Sequence, residues 1–316
     1  MNRWVNPYFA PVALAVLILA LGLTATSTYW LQVWTRAGIF AIAAIAITML
    51  YGGSGQISLG HAGFLGIGAW ASGYVTVTLG YGFIPAALLA ITGATIAGAV
   101  IGYAALRLQG WFLSLGTSAF GLAVAETMRI RLPNGIFGIP PVELPGLVIS
   151  TSRGTYWFVW LLVLLILVFI SALTRSRFGR SLAALRDDPV AAASCGVNLA
   201  RAKITVFCLS AALTGLAGAL FAAYQGSVAE RSFEFWVSID ILLMAVVGGL
   251  GVPLGAVFGS LFFTVLPETG RAWEDYRLFT FGVLIILVVV FLPRGLIGIG
   301  GQLKSAAKNV IGRGTT

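Results

Sequence analysis

The residues from Trp157 to Ile170 are apolar at every position. A surface helix of a globular domain carries one apolar stripe, and the strands of a membrane barrel alternate between lipid-facing and lumen-facing side chains. An unbroken apolar run fits neither pattern; it fits a helix enclosed by lipid and by other helices. Similar segments lie at Phe9–Leu23, Ala37–Tyr51, Ile57–Leu79, Ile84–Leu106, Trp111–Met128, Thr155–Leu173, Ile204–Tyr224, Ile239–Gly249, Val252–Leu266 and Leu278–Leu292, about ten in all. A full span needs ~20 residues. The shorter segments therefore read as half-helices or re-entrant pieces, and totals of eight or nine spans stay open. With 59% hydrophobic and 9% charged residues, too little polar surface remains to cover a soluble core. The expectation is a single all-α polytopic membrane domain over residues 1–316. Phe9–Leu23, flanked by Arg3 and by the small residues Ala25-Thr26-Ser27, fits a secretory signal or a first span, and the many spans after it favour a retained helix.

The one long polar interval is 175–203. It carries Arg175, Arg177, Arg180, Arg186, Arg201 and Lys203 against Asp187 and Asp188. Basic loops between spans face the cytoplasm. With an inside N-terminus and ten crossings, this loop and the tail with Arg294, Lys304, Lys308 and Arg313 both fall inside. Segments 226–238 (Glu230, Arg231, Glu234) and 267–277 (Glu268, Arg271, Glu274, Asp275, Arg277) fall outside and are net acidic. Loop 129–154 runs against the rule, with Arg129, Arg131 and Arg153 opposing Glu143; its Pro133-Asn134-Gly135 and Pro140-Pro141 indicate irregular structure. Glu126 is expected to pair with Arg129 or Arg131. The net charge of +9 follows from these short loops, with no folded polar domain to present a nucleic-acid surface. Cys195 and Cys208 lack His or Cys neighbours at ligand spacing and read as packing residues.

Forty glycines call for an explanation, and two clusters stand out. Tyr51–Trp70 and Val247–Phe263 both begin Gly-Gly-x-Gly, at Gly52-Gly53-Ser54-Gly55 and at Gly248-Gly249-Leu250-Gly251, an offset of 196 residues from Gly52 to Gly248. Gly-interrupted segments at corresponding positions of two repeats point to a transport pathway, because a broken helix exposes backbone groups that only protein or a watery cavity can satisfy. Gly52, Gly53, Ser54, Gln56, Ser58, His61, Gly248, Gly249 and Gly251 are the resulting pathway candidates. Gly251, Gly255 and Gly259 recur every four residues and would form one smooth helix face. The alternative is that both clusters are helix-packing seams without contact to substrate. His61, the only histidine, reads as a satisfied hydrogen-bonding residue in preference to a proton relay or metal ligand. Asp240 opens the segment Ile239–Gly249, a position that usually faces a cavity or a partner.

Within the polar interval, Asp188-Pro189 followed by Val190–Cys195 and Gly196 gives an N-cap, a proline at the first helical position, a short helix and a glycine stop. A helix over Gly179–Arg186, with Leu182 and Leu185 on one face, should precede it. The two make a helical elbow. Ala191, Ala192 and Ala193 would let another protein approach the backbone closely, whereas the basic residues would equally suit anionic headgroups.

The stretches GGSGQISLGHAGFLGIGA, LRLQGWFLSLGTSAFGLAVAE (Leu106–Glu126), SRFGRSLAALRDDPVAAASCGVNLARAKITVFCLSAALTGLAGAL (Ser176–Leu220) and GGLGVPLGAVFGS resemble the permease subunits of branched-chain amino acid ABC importers, the LivM-like subunit in particular. The resemblance covers roughly residues 37–300. It implies a two-repeat importer fold with broken Gly-rich helices in a bacterial inner membrane. It also implies a homologous permease as heterodimer partner, two cytoplasmic ATPase subunits and a periplasmic substrate-binding protein, with no cofactor and no metal. The family's coupling segment is matched by Phe178-Gly179-Arg180 and by Arg186-Asp187-Asp188-Pro189 through Ala192 and Gly196. Family members often have Glu-Asn where this chain has Asp187-Asp188, and Ala-Phe where it has Val206-Phe207. Similar permeases serve urea, short-chain amides and aromatic acids.

The chain has no Walker A run and no Gly-Lys dipeptide, so the energy for transport is expected from partner ATPases or from an ion gradient. An ion-coupled transporter would need ionisable residues in the spans, where only His61 and Asp240 offer support. A membrane enzyme finds no clustered His, Asp or Glu constellation.

Overall fold

A computed structural model describes residues 27–269, apart from 107, 109, 132, 145 and 146, together with the isolated positions 18, 22, 282 and 295. Phe9–Leu23, Leu278–Leu292 and the basic tail after them lie almost wholly outside the described residues. The bundle is built around helix α1 (Thr28–Ser54), in which every residue from Ala37 to Leu50 is buried. Alanines and one glycine alternate with isoleucines there, so neighbouring helices approach closely while the branched side chains fill the gaps between them. The helix starts well before the expected Ala37, because its first turns are amphipathic: Tyr29, Gln32 and Arg36 are exposed while Leu31, Val33 and Thr35 are buried. Trp30 and Trp34 stack with ring centroids 6.0 Å apart, as suits a membrane boundary.

Helix α2 (His61–Gly73) continues as a π-helix over Tyr74–Thr78, and α3 (Phe83–Ala105), α4 (Trp111–Arg131) and α5 (Ser152–Arg175) follow. The polar interval forms α6 (Arg177–Asp187) and α7 (Pro189–Ser194), and then come α8 (Leu199–Gln225), α9 (Phe235–Gly248) and α10 (Pro253–Thr269). Four of these, α1, α3, α5 and α8, are long and apolar enough to cross a membrane alone. The shorter pair α9 and α10 is bent by 118° at its break. Its two halves return to the same end of the bundle as one hairpin, the re-entrant form expected of short segments. Small residues make the other seams: a Cβ at Gly215 of α8 would collide with Ala94 of α3, and one at Gly218 with the Leu65 carbonyl of α2.

Two ends are distinguished by their contacts. At one, Tyr29 bonds Glu268, and Tyr224 Oη donates to the Gln32 carbonyl at 3.1 Å. Strand β1 (Ile136–Phe137) pairs there antiparallel with β4 (Ser227–Val228), which joins loop 129–154 to segment 226–238. A second hairpin pairs β2 (Val142–Leu144) with β3 (Leu147–Ile149). Loop 129–154 is thus partly ordered where irregular structure was expected. The strand signal is present in the branched residues on either side of Pro145-Gly146, but each strand is only two or three residues long. The polar interval lies at the opposite end, as does the C-terminus of α1. Glu126 pairs with Arg129, whose Nε donates to Oε2 at 3.0 Å.

Candidate functional site

At the polar-interval end the two glycine clusters meet. Helix α1 stops at Gly55, whose φ of +69° requires a left-handed backbone, and the second break holds Gly249 and Gly251 at φ of +117° and +86°. A Cβ on Gly52 would lie 3.1 Å from Gly251 Cα, so the broken ends of α1 and of the α9–α10 hairpin touch backbone to backbone. Glycine suits that approach, since a side chain at Gly52 would make a tight contact with the neighbouring backbone. The elbow lies directly on this contact. Leu182 of α6, 5% exposed, packs its Cδ1 3.1 Å from where a Gly53 Cβ would stand. Arg186 Nη1 donates to the Gly52 carbonyl at 3.3 Å, its guanidinium sits 5.3 Å from the centre of the Tyr51 ring, and Nη1 comes within 3.5 Å of the Cβ position of Gly251. One arginine of the polar elbow therefore bonds the first break and lies against the second.

Beyond Gly55 the chain does not resume a helix until His61, although Ile57–Leu79 reads as one apolar segment. Residues 56–59 run through the bundle without helical bonds, and hydroxyls of α4 and α9 bond this segment and the first turn of the helix after it. Thr117 Oγ1 accepts from Leu59 N at 3.0 Å, Ser114 Oγ donates to Ile57 O at 3.1 Å, and Ser238 Oγ accepts from Ala62 N at 2.9 Å. Ser58 Oγ accepts from Gly60 N at 3.3 Å, and the Ser54 hydroxyl reaches Gln56 Oε1 at 3.0 Å. His61 is 0% exposed; its Nε2 lies 2.8 Å from Ser210 Oγ, and that hydroxyl donates to the Ala46 carbonyl at 2.9 Å. The histidine hydrogen-bonds through Nε2 at the start of a half-helix, but its buried Nδ1 has no hydrogen-bond partner among the described residues, so the fully satisfied residue expected from the sequence is only half realised. Thr117, Ser114, Ser210 and Ser238 were not singled out from the sequence. Their signal is a hydroxyl in an otherwise apolar helix, and Ser114 and Thr117 at i, i+3 share a face.

The second break is tighter. Pro253 restarts the helix, and Gly248 lies so close to Gly255 that a Cβ on either would collide with the other's carbonyl. Gly259 abuts the Met244 carbonyl in the same way. Gly255 and Gly259 thus form a packing seam. Gly251 does not share their helix face, because its left-handed backbone belongs to the turn.

The elbow has the expected local order. The Asp188 carboxylate accepts from Val190 N at 2.8 Å and Ala191 N at 3.1 Å, and Gly196 adopts φ of +81°. Leu182 and Leu185 are buried together. Gly179 lies where a side chain would strike the Leu173 and Thr174 carbonyls, and Arg180 Nη1 donates to Arg175 O at 2.9 Å, so Phe178-Gly179-Arg180 is the joint between α5 and α6. Ala192 is 3% exposed and turns inward, which removes it from any outer surface; Ala191 and Ala193 face out. Asp187 and Pro189 are exposed. Cys195 is exposed as well and is not a packing residue, whereas Cys208 is half-buried.

Paired broken helices that converge under a polar elbow, in a bundle with apolar spans, are the layout of an all-α polytopic membrane permease. A family model described as branched-chain amino acid transport system / permease component matches residues 29–289. The chain belongs to that family. It is 34% identical over 295 residues to the high-affinity branched-chain amino acid transport system permease protein LivM of Escherichia coli, covering 83% of this chain and 68% of that protein. It is 30% identical over 304 residues to BraD of Pseudomonas aeruginosa, covering 88% and 94%, and 27% identical over 288 residues to LivH of Salmonella typhimurium, covering 84% and 92%. No solved structure matches the chain.

Proposed function

We propose that this chain is the membrane-spanning permease subunit of an ATP-driven importer for branched-chain or related hydrophobic amino acids. The observation that carries this reading is the contact of Arg186 and Leu182 with Gly52, Gly53 and Gly251, because it leaves no intervening element between the elbow and the two helix breaks. In this reading the elbow faces the cytoplasm and docks on one of two ATPase subunits. The exposed residues Asp187, Pro189, Ala191, Ala193 and Gly196 form the docking face, while Phe178, Gly179 and Arg180 transmit its tilt into α5. ATPase closure moves α6, Arg186 withdraws from Gly52, and the junction of the breaks opens. A homologous permease completes the pathway, and a soluble binding protein delivers substrate to the end that carries the β1–β4 ladder. The bilayer is a bacterial plasma membrane, with both chain termini inside.

Two variants in the assembled complex test the coupling. Gly196→Arg is expected to abolish ATPase association, since its φ of +81° favours glycine and the site is otherwise open. Arg186→Glu is expected to leave association intact and to uncouple hydrolysis from uptake. Uptake and association at wild-type levels in both variants would sink the proposal. Uptake that survives ATP depletion but collapses with an ionophore would favour an ion-coupled transporter instead.

A further inference from the structure

At the end away from the elbow, helices α1, α5 and α8 and the β2–β3 hairpin enclose a cavity of about 130 Å³. A cavity of roughly 150 Å³ in a protein core admits a guest the size of benzene, so this one has room for a small organic group. Its polar walls are Gln32 and Thr35 of α1, Ser152 and Thr155 of α5, Tyr224 of α8, and Ser150 in the link from the hairpin to α5. Among the described residues no charged side chain lines it. Thr35 is buried while Gln32 and Ser150 are exposed, so the cavity deepens from the protein surface toward α1. Three of its hydroxyls have already committed their protons. Thr35 Oγ1 donates to the Leu31 carbonyl at 2.7 Å, Thr155 Oγ1 to the Thr151 carbonyl at 3.3 Å, and Tyr224 Oη to the Gln32 carbonyl at 3.1 Å. A hydroxyl has a single proton, so each of these oxygens can only accept from an occupant. The Gln32 amide and the Ser150 and Ser152 hydroxyls, by contrast, have no hydrogen-bond partner among the described residues and keep their donors.

Oxygens that can only accept call for a guest rich in N–H donors, and a primary ammonium group is such a guest. With no charged side chain in the wall, the guest must carry its own counter-charge, because a charge taken from water without a partner is costly. A zwitterionic amino acid meets both demands. We propose that this cavity is an outer subsite for an amino acid: Thr35, Thr155 and Tyr224 accept from its ammonium group, and Gln32, Ser150 and Ser152 donate to its carboxylate. Val142 and Ala223 supply apolar wall for its side chain. The same three helices lead to the elbow, since α1 ends at the first break, α5 runs into the Phe178-Gly179-Arg180 joint and α8 follows α7. An occupant therefore bridges the helices whose far ends adjoin the elbow. The subsite rests on the importer reading and names where in this chain the cargo is first recognised.

The test measures equilibrium binding of radiolabelled leucine to the assembled permease–ATPase complex without any soluble binding protein. Leucinamide, which keeps the ammonium group and lacks the carboxylate, and 4-methylpentanoate, which does the reverse, serve as competitors. Wild type should bind leucine and prefer leucinamide to 4-methylpentanoate by at least about tenfold, because an anion leaves the accepting oxygens unpaired. Thr155→Val and Tyr224→Phe should each weaken leucine binding and narrow that preference severalfold, whereas Thr155→Ser should keep both. Thr95→Val in α3 is the control: its hydroxyl likewise bonds its own helix, at the Ile91 carbonyl, but lies outside the cavity, and its loss should change neither readout. A wild-type complex that binds no leucine, or a preference that survives both Thr155→Val and Tyr224→Phe, would overturn the subsite. So would displacement of leucine by sodium or potassium chloride alone, which marks a cation site, and equal losses in Thr95→Val, which mark helix destabilisation. Absence of ATP-driven uptake by the full wild-type assembly, with leucine binding and its preference intact, is the separate result that would count against the importer reading.

Discussion

The two glycine breaks begin with the same four-residue pattern and are built differently. The first is an open stretch of chain from Gly55 to Gly60, carried by Ser58, Ser114 and Thr117 and ending at the buried His61, with Ser238 bonding Ala62 in the first turn beyond it. The second is a tight turn that Pro253 closes at once, with α9 and α10 packed glycine against backbone. The difference teaches where rigidity resides. The hairpin is a wedge held by close approach, which has no intermediate positions. The open stretch is held by a set of individual hydrogen bonds that can be exchanged one at a time, and this suits it to the wall of a pathway that must change shape.

The largest expected effect lies in the hairpin. Gly248→Ala should destabilise by more than about 4 kcal/mol, because its Cβ meets the Gly255 carbonyl and two backbones must separate; membrane yield and melting temperature report it. A near-normal melting temperature would show that the hairpin yields as easily as the open stretch. Removing one hydroxyl that anchors the chain just beyond the first break, at His61 or Ala62, should have a smaller effect. Ser238→Ala leaves the Ala62 N–H without its partner, and Ser210→Ala does the same to His61; each should cost roughly 1–3 kcal/mol. The matched control is Ser260→Ala in α10, whose hydroxyl bonds only Val257 of its own helix at 2.8 Å and whose loss should be close to neutral. Equal effects at Ser238 and Ser260 would erase the contrast between the breaks. The smallest change joins the two regions: Gly52→Ala places a Cβ 3.1 Å from Gly251 Cα, a tight contact expected to cost about 1 kcal/mol and to slow uptake more than it lowers stability.

Much of this was legible beforehand, for reasons that differ by residue. The elbow could be read closely, since an Asp N-cap, a first-position proline, a leucine pair and a glycine stop are local devices whose partners lie within a few residues. The Ala192 reading failed for the complementary reason: which of three consecutive alanines faces outward depends on where α7 rests against α8. Segment Ile57–Leu79 reads as one span because hydropathy registers side chains, while the break depends on whether backbone groups find partners, and those partners are hydroxyls 57 to 176 residues away.

By itself, the sequence determined that this chain is an all-helical membrane protein, that its helices break at two glycine clusters, and that a capped polar elbow interrupts the spans. Each follows from composition, periodicity or short-range hydrogen bonding. Only the tertiary structure decided that Gly52 and Gly251 approach backbone to backbone, that Arg186 bonds Gly52 beside Gly251, and that hydroxyls of α4 and α9 meet the chain around the first break. Those are contacts between helices distant in the chain, set by how small residues let backbones approach, and no local pattern encodes them.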